Sequence, residues 1–138
     1  MRNQTIEVTR VLANTLYQFC RNGLSINING EFPTSGYMVS FYGGPVFNSI
    51  ADVDVSQVKK FLDDNLPYNE GYYAGVWTDE KTGKIYFDVS YCYDNLQDAV
   101  RRAVNADQIA IWDVEGNKEI RTNQVVFPDG STARDYKV

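Results

Sequence analysis

Few side chains of this 138-residue chain could carry acid-base or nucleophilic chemistry. The sequence contains no histidine, which excludes Ser-His and Cys-His nucleophile pairs and removes the commonest general base at neutral pH. Carboxylates occur close together at three places, namely Asp52/Asp54, Asp63/Asp64 and Asp79/Glu80. A helix cap explains the first pair, a helix end the second and a hairpin turn the third. We therefore expect neither a catalytic nor a metal site, and no cofactor.

The two cysteines indicate a reducing environment. Cys20 and Cys92 are far apart and belong to no C-x-x-C or other metal-binding spacing, so neither a disulfide framework nor a zinc site is predicted. Cys92 lies two residues before Asp94, and a negative charge there opposes formation of a thiolate. Both thiols are expected to be structural.

The charge balance bears on partners and location. Thirteen basic against eighteen acidic residues give a net charge of −5 and a pI near 4.6, the wrong sign for attraction to nucleic acid or anionic lipid. The acidity suits a basic host protein, but ordinary solubility is the favoured explanation. No stretch has the apolar length of a signal peptide or a membrane span, so a cytoplasmic location is expected.

The spacing of hydrophobic residues predicts where the first helix and strands lie in the sequence. A helix is predicted over residues 5–21, ending at Gly23, with an inward stripe. Residues 24–35 are interpreted as a loop or a short edge strand, and 36–42 as a strand that ends in a turn at Gly43-Gly44-Pro45. The predicted stripe comprises Val8, Val11, Leu12, Leu16, Phe19 and Cys20.

The middle of the chain predicts two capped helices around a hairpin. Asp54 and Gln57 have capping-box spacing before a helix that ends near Pro67, and Asp94 and Gln97 repeat that spacing before a helix near 95–105. Between them, residues 72–78 and 84–91 form two strands joined by a five-residue turn. Further strands are predicted over 108–114 and 118–122.

This order of elements predicts an α+β fold. From residue 37 it runs strand, helix, strand, strand, helix, strand, the ferredoxin-like split βαβ order with an antiparallel sheet. An N-terminal helical extension (1–23) precedes the core (36–122), and a C-terminal hairpin and a tail (123–138) complete a single domain. A different α+β sheet order with the same elements remains the alternative.

Side-chain alternation selects a candidate binding surface. Tyr86, Asp88 and Ser90 should leave the second hairpin strand on the face away from the helices, and Trp112 is expected to join them from the strand at 108–114. Aromatic side chains on an open sheet can stack nucleic acid bases. Lys84 is the only cation on that hairpin arm, which favours a protein partner, or burial under the N-terminal helix.

Four segments resemble a family of small accessory proteins of bacteriophages and bacterial mobile elements. They read Gly36-Tyr37-Met38-Val39-Ser40, Gly75-Val76-Trp77-Thr78-Asp79, Ile85-Tyr86-Phe87-Asp88-Val89-Ser90 and Gln108-Ile109-Ala110-Ile111-Trp112-Asp113. The resemblance covers about residues 36 to 120 and implies a genomic setting without a reaction.

Together these observations favour a non-enzymatic phage or mobile-element accessory protein that binds a host protein, including as a counter-defence inhibitor of a nuclease or another defence component. The alternative is a binder of a small nucleotide or nucleotide-like signal through the sheet aromatics and Arg101, Arg102 or Arg121. An enzyme that uses Asp88 with Tyr86 is the least favoured hypothesis. Oligomeric state does not follow from the sequence.

Overall fold

The computed structural model describes residues 2–67 and 70–136, and it confirms the α+β class. Within these ranges the three α-helices are α1 (Arg2–Gln18), α2 (Val55–Asn65) and α3 (Leu96–Asn105). The strands are β1 (Leu24–Ile26), β2 (Tyr37–Phe47), β3 (Tyr72–Thr78), β4 (Ile85–Tyr93), β5 (Ala110–Asp113) and β6 (Lys118–Arg121). Their hydrogen-bonding order is β1-β3-β4-β2-β5-β6, so the antiparallel sheet is larger than predicted.

The chain divides into two compact units. The first comprises Met1–Phe32 and Tyr42–Ser90, and the second comprises Pro33–Phe41 and Tyr91–Val138. Strands β2 and β4 contribute residues to both units. The division does not follow the predicted boundaries at residues 23, 36 and 122, and the single-domain organisation stays a prediction.

The first unit has a core between two helices and the sheet. Leu16 of α1 and Leu62 of α2 are buried with Ile85, Phe87 and Val89, which alternate along β4 and therefore share one face. Helices α1 and α2 also pack against each other. The opposite face of β4 in this unit is thus the face that these two helices do not cover.

Helix α1 is longer at its start than predicted, and its buried stripe differs. Leu12, Leu16 and Cys20 are buried as expected, but Val11 is 62% exposed and Phe19 is 46% exposed. The stripe prediction is wrong at these two positions because Ala13, adjacent to Leu12, takes the inward position. The helix ends at Gln18, three residues before the predicted end, and a turn follows that closes at Gly23, which has φ +80° and donates its N–H to the Phe19 carbonyl at 3.1 Å.

Gly43, Gly44 and Pro45 lie inside β2, so the turn predicted there is wrong. A Cβ atom on Gly44 would lie 2.7 Å from the Phe87 carbonyl oxygen and 2.8 Å from the Phe61 ring. The glycine therefore serves a close approach between strand and helix. The dipeptide pattern alone cannot distinguish that role from a turn.

The predicted Asp54 cap of α2 is confirmed. The Asp54 carboxylate accepts the backbone N–H groups of Ser56 and Gln57 at 3.0 and 3.3 Å. Val58 and Leu62 are the buried positions of the helix, which ends at Asn65.

The predicted hairpin of β3 and β4 is also present. Its turn is closed by two backbone hydrogen bonds, from Asp79 N–H to the Lys84 carbonyl at 2.9 Å and from Gly83 N–H to the Asp79 carbonyl at 2.7 Å. Gly83 has φ +78°, a conformation that favours glycine. Strand β1 pairs antiparallel with β3, with Ser25 opposite Gly75, and so forms the short edge strand allowed by the sequence.

The second unit packs α3 on β2 and β5. Ala99, Val100 and Ala103 are buried with Val39 and Ile111. The predicted Asp94 cap is wrong, because Asn95 is the N-cap residue and its side-chain oxygen accepts the Asp98 N–H at 3.1 Å. Asn and Asp are equally good caps, so adjacent candidates cannot be ranked by residue type.

The C-terminal segment takes part in the same core. Phe127 and Ala133 are buried among these residues, and Val126 forms an isolated antiparallel bridge with Thr132. Strands β5 and β6 pair antiparallel, with Ile111 opposite Ile120 and Trp112 opposite Glu119.

Candidate binding face

The helix-free face of the hairpin in the first unit carries the candidate site. Side chains of β3 and β4 alternate between the core and this face, because β-strand residues point to opposite sides in turn. We call the set of Tyr73, Gly75, Trp77, Tyr86 and Asp88 the aromatic face. Trp77 is 47% exposed, whereas its neighbour Val76 is buried in the core.

Trp77 and Tyr86 form a stacked pair across the two strands. Their ring centroids are 4.4 Å apart and their planes differ by 11°. Such a pair contributes about 0.5–1.5 kcal/mol beyond the area that it buries. Stacking holds both rings in one orientation and produces a flat apolar shelf near the hairpin turn.

Gly75 and Asp88 occupy the middle of the aromatic face. A Cβ atom on Gly75 would overlap the Asp88 carboxylate, so that carboxylate lies over bare backbone of β3. Gly75 pairs with Ser25 of β1 on its other side. The absence of a side chain at Gly75 thus sets the position of a negative charge on the face.

An open cavity of about 290 Å³ adjoins Tyr73. Its walls come from the loop after β1 and from the start of β3, and include the carboxylates Glu31 and Glu70. Asn27 shapes the loop, because its side-chain oxygen accepts the N–H groups of Asn29 and Glu31 at 3.0 and 2.8 Å. Its side-chain amide also donates to the Glu31 carboxylate at 3.1 Å, which orients that acidic group.

The predicted site residues are not equally accessible. Tyr86 and Asp88 lie on the aromatic face and are half-buried, but Ser90 is only 7% exposed. The prediction that Ser90 projects from an open face is therefore wrong, since a small side chain on an inner strand is shielded by its neighbours. Trp112 is 43% exposed and belongs to β5 in the second unit.

Sequence reasoning missed Trp77 as a site residue. The alternation of Tyr73, Gly75 and Trp77 with the apolar residues Ala74 and Val76 along the sequence was the available signal. Applying to the first hairpin strand the period-2 argument used for the second would have found it.

The arginines considered for nucleotide binding have other contacts. The Arg102 guanidinium lies 4.4 Å from the centroid of the Phe41 ring, and Arg121 contacts the Glu119 carboxylate at 3.4 Å. Arg101 is exposed on α3 and also interacts with another group of the protein. Phe41 further contacts Tyr91 edge-on, with 6.4 Å between ring centroids.

Asp54 and Asp79 take the structural roles predicted for them, whereas Asp52 is not part of the cap of α2. Asp54 caps α2, Asp52 accepts the Ser49 hydroxyl at 3.0 Å, and Asp79 accepts the Lys81 N–H at 3.0 Å in the hairpin turn. Over residues 2–67 and 70–136, no three histidine, cysteine or acidic side chains are grouped as metal ligands would be.

The Asp63 carboxylate has two close side-chain contacts. Burial raises its pKa, but hydrogen bonds from Lys59 and Thr9, each at 2.6 Å, outweigh this effect and hold the pKa below its ordinary value. This arrangement ties α1 to the end of α2 inside the first unit.

The Cys92 thiol is disfavoured as a nucleophile. Burial raises its pKa, and the negative charge of Asp94 raises it further, as the sequence predicted. The thiol donates to the Ser35 carbonyl at 3.2 Å. Cys20 is buried in the first unit, and neither cysteine is in a disulfide.

Comparisons with known proteins add no relative: no family model matches the chain, and neither the curated proteins nor the solved structures contain a match. Among the described residues, none of the helices has both the length and the apolar character needed to cross a bilayer.

Proposed function

We propose that this protein is a non-enzymatic accessory protein of a phage or mobile element that binds a host protein through its aromatic face. The observation that carries the proposal is the exposed Trp77 ring stacked on Tyr86. Tryptophan and tyrosine are the residues most enriched among the side chains that dominate binding energy at interfaces. A pre-stacked pair loses little side-chain entropy when a partner covers it.

The chemistry of the chain supports a binding role over a catalytic one. The sequence has no histidine, and Asp52, Asp54, Asp63, Asp64 and Asp79 of the three carboxylate pairs have structural contacts in caps, turns and ion pairs. Asp88 and Tyr86, the residues of the least favoured catalytic hypothesis, do not line the cavity beside Tyr73, whereas catalytic groups usually occupy concave sites.

A counter-defence role is part of the same proposal. An acidic protein with an apolar anchor can occupy a basic surface of a host nuclease or another defence component, and charge attraction of this kind accelerates association. The resemblance to accessory proteins of phages and mobile elements supports that setting. The proposed site of action is the cytoplasm of the bacterial host.

The contacts of the arginines favour this function over nucleotide binding. Recognition of phosphate needs guanidinium groups aimed at the ligand, whereas Arg102 lies over Phe41 and Arg121 contacts Glu119. Trp112 stands opposite Glu119, and a carboxylate at that position repels a phosphate.

We further propose that the ferredoxin-like split βαβ arrangement describes the central elements. Read from β5, the strand order is β5-β2-β4-β3. In the split βαβ motif β2 is the first strand, β3 and β4 form the hairpin, and β5 is the last strand. The observed order supports an arrangement in which β5 adjoins β2 and the hairpin completes the sheet. Strands β1 and β6 then extend that sheet at its two edges.

Affinity capture with matched variants tests the binding function. Tagged wild type, Trp77→Ala/Tyr86→Ala and Trp112→Ala would be used as bait in bacterial host lysate, with bound proteins identified by mass spectrometry. We expect one host protein to be retained by wild type and Trp112→Ala and lost with the Trp77/Tyr86 variant. Equal retention by the three baits, or retention of nothing, contradicts the proposal.

A further inference from the structure

We infer that the aromatic face accepts an extended segment of the partner that carries an arginine or lysine followed, about four residues along, by an apolar side chain. This inference rests on the proposed binding function and names the partner chemistry. It follows from the order in which cavity, carboxylates and aromatic rings occur along β3.

The acidic end of the face fits a cation. Glu31 and Glu70 line the cavity beside Tyr73, and Asn27 holds the Glu31 carboxylate in place. A guanidinium or ammonium group in this cavity would donate charge-assisted hydrogen bonds to the carboxylates and contact an aromatic ring. Asp88, over Gly75, continues the negative charge toward the middle of the face.

The other end of the face fits an apolar group. The stacked rings of Trp77 and Tyr86 form its surface, and Lys84, exposed at the turn just before β4, disfavours a second cation beyond them. The charge therefore changes from acidic at the cavity to balanced at the hairpin turn, where Lys81 and Lys84 offset Asp79 and Glu80. This gradient defines the direction in which a partner segment lies.

Strand geometry sets the spacing. Tyr73 and Trp77 are four residues apart on one face of β3, which corresponds to about 13 Å at the rise of a strand. Residues that alternate along an extended partner segment point to the same side. A cation and an apolar residue about four positions apart would thus reach the cavity and the shelf together.

Gly75 leaves room between the two ends. A side chain at that position would displace Asp88 and raise the surface midway along the segment's path. Because Gly75 has no side chain, the Asp88 carboxylate lies close against the buried backbone of β3 and the surface stays low along this path.

Synthetic peptides provide the test. The probe is an uncharged-ended, seven-residue peptide of alanine and serine with one arginine and one leucine four positions apart, and its twin has glutamate in place of arginine. The protein is the full chain with Trp112→Phe, so that fluorescence reports on Trp77. We expect saturable quenching or enhancement with the arginine peptide and at least about tenfold weaker binding of the glutamate twin.

A variant and its control locate the cation. Glu31→Gln/Glu70→Gln should weaken binding of the arginine peptide about tenfold, and raised salt should weaken binding of that peptide to wild type more than to this variant. Asp52→Asn/Asp64→Asn changes the net charge by the same amount on the α2 side of the first unit and should leave affinity unchanged. Circular dichroism and thermal melting would verify that all variants fold.

Several results would overturn the inference. The first is that wild type binds the arginine and glutamate peptides with equal affinity, and the second is that the Glu31/Glu70 variant binds the arginine peptide as tightly as wild type does. The third is that no saturable response occurs up to about millimolar peptide. The fourth is that the protein self-associates and buries Trp77. If capture of a host protein still depends on Trp77 and Tyr86 in any of the first three cases, the binding function stands and only the cationic segment is rejected. Loss of that dependence as well rejects both.

Discussion

The Trp77 indole lies parallel to the Tyr86 phenol ring, with 4.4 Å between their centroids and 11° between their planes. The two residues belong to neighbouring strands of one hairpin, so their contact requires no other element. Phe87, next to Tyr86 in sequence, points the opposite way and contacts Phe47 in the core, with 5.9 Å between ring centroids. Two adjacent aromatic residues thus have different roles.

This difference predicts separable effects on stability. Trp77→Ala should lower the free energy of unfolding by about 1 kcal/mol, since it removes a stacking contact at the surface. Phe87→Ala should lower it by about 3–5 kcal/mol because it leaves a cavity in the core. Urea denaturation followed by circular dichroism measures both. Equal losses would mean that Trp77 is a core residue.

Gly43 and Gly44 are adjacent, and substitutions of these two glycines should differ in their effect on stability. Gly44→Ala should destabilise the fold by about 1–3 kcal/mol, because the new methyl group meets the Phe87 carbonyl and the Phe61 ring. Gly43→Ala should be nearly neutral, since its Cβ position is open. Thermal melting of the two variants distinguishes this packing from the turn that the sequence suggested, in which neither substitution would meet a neighbour.

The N-cap of α3 predicts that substitutions of two adjacent residues differ in their effect on stability. Asn95→Ala should cost about 1 kcal/mol of stability because it removes the acceptor for the Asp98 N–H. Asp94→Ala should cost little, as Asp94 is outside the cap. Chemical denaturation of both variants measures the difference, and a larger loss for Asp94→Ala would restore the cap expected from the sequence.

The contacts of Asp63 predict part of the pH dependence of stability. Its pKa is lowered in the folded state, so its stabilising contribution is present above the unfolded pKa and is lost as pH falls through the folded value. Wild type should therefore lose more stability than Asp63→Asn as the pH is lowered from about 5. Denaturation midpoints over a pH series measure this loss.

Asp64→Asn is the control for Asp63. Asp64 contacts Lys60 at 3.4 Å, and both side chains are well exposed, so this pair should contribute little. An equal change of pH dependence in both variants would show that position on the helix, and not the Thr9 and Lys59 contacts, sets the effect.

The thiol of Cys92 should alkylate slowly near neutral pH. Burial and Asp94 raise its pKa, which lowers the fraction of the reactive thiolate. Asp94→Asn should accelerate labelling by iodoacetamide, because it removes one of the two causes. Rates at Cys92 would be followed by peptide mass spectrometry, and an unchanged rate would assign the effect to burial alone.

Local features of this protein were determined by the sequence itself. The Asp54 cap, the buried Val58 and Leu62 of α2, the five-residue turn at Asp79–Gly83 and the alternation along β4 all follow from interactions among residues close together in the chain. Backbone hydrogen bonds to a nearby side chain and the periods of helix and strand act over a few residues, so composition and spacing reveal them. The α+β class follows from these elements.

Tertiary structure decided the rest. The sequence around Gly44 predicts a turn. The glycine is required instead by its close packing against Phe61 and Phe87, which are distant in sequence. Ser90 is buried despite its alternation with core residues, and Trp77 becomes a site residue only when β3 and β4 set its ring against Tyr86. The hydrophobic pattern specifies which side of a strand a residue occupies, but it does not specify the neighbouring strand. Exposure and stacking depend on that neighbour, because both are properties of residues brought together across the sheet.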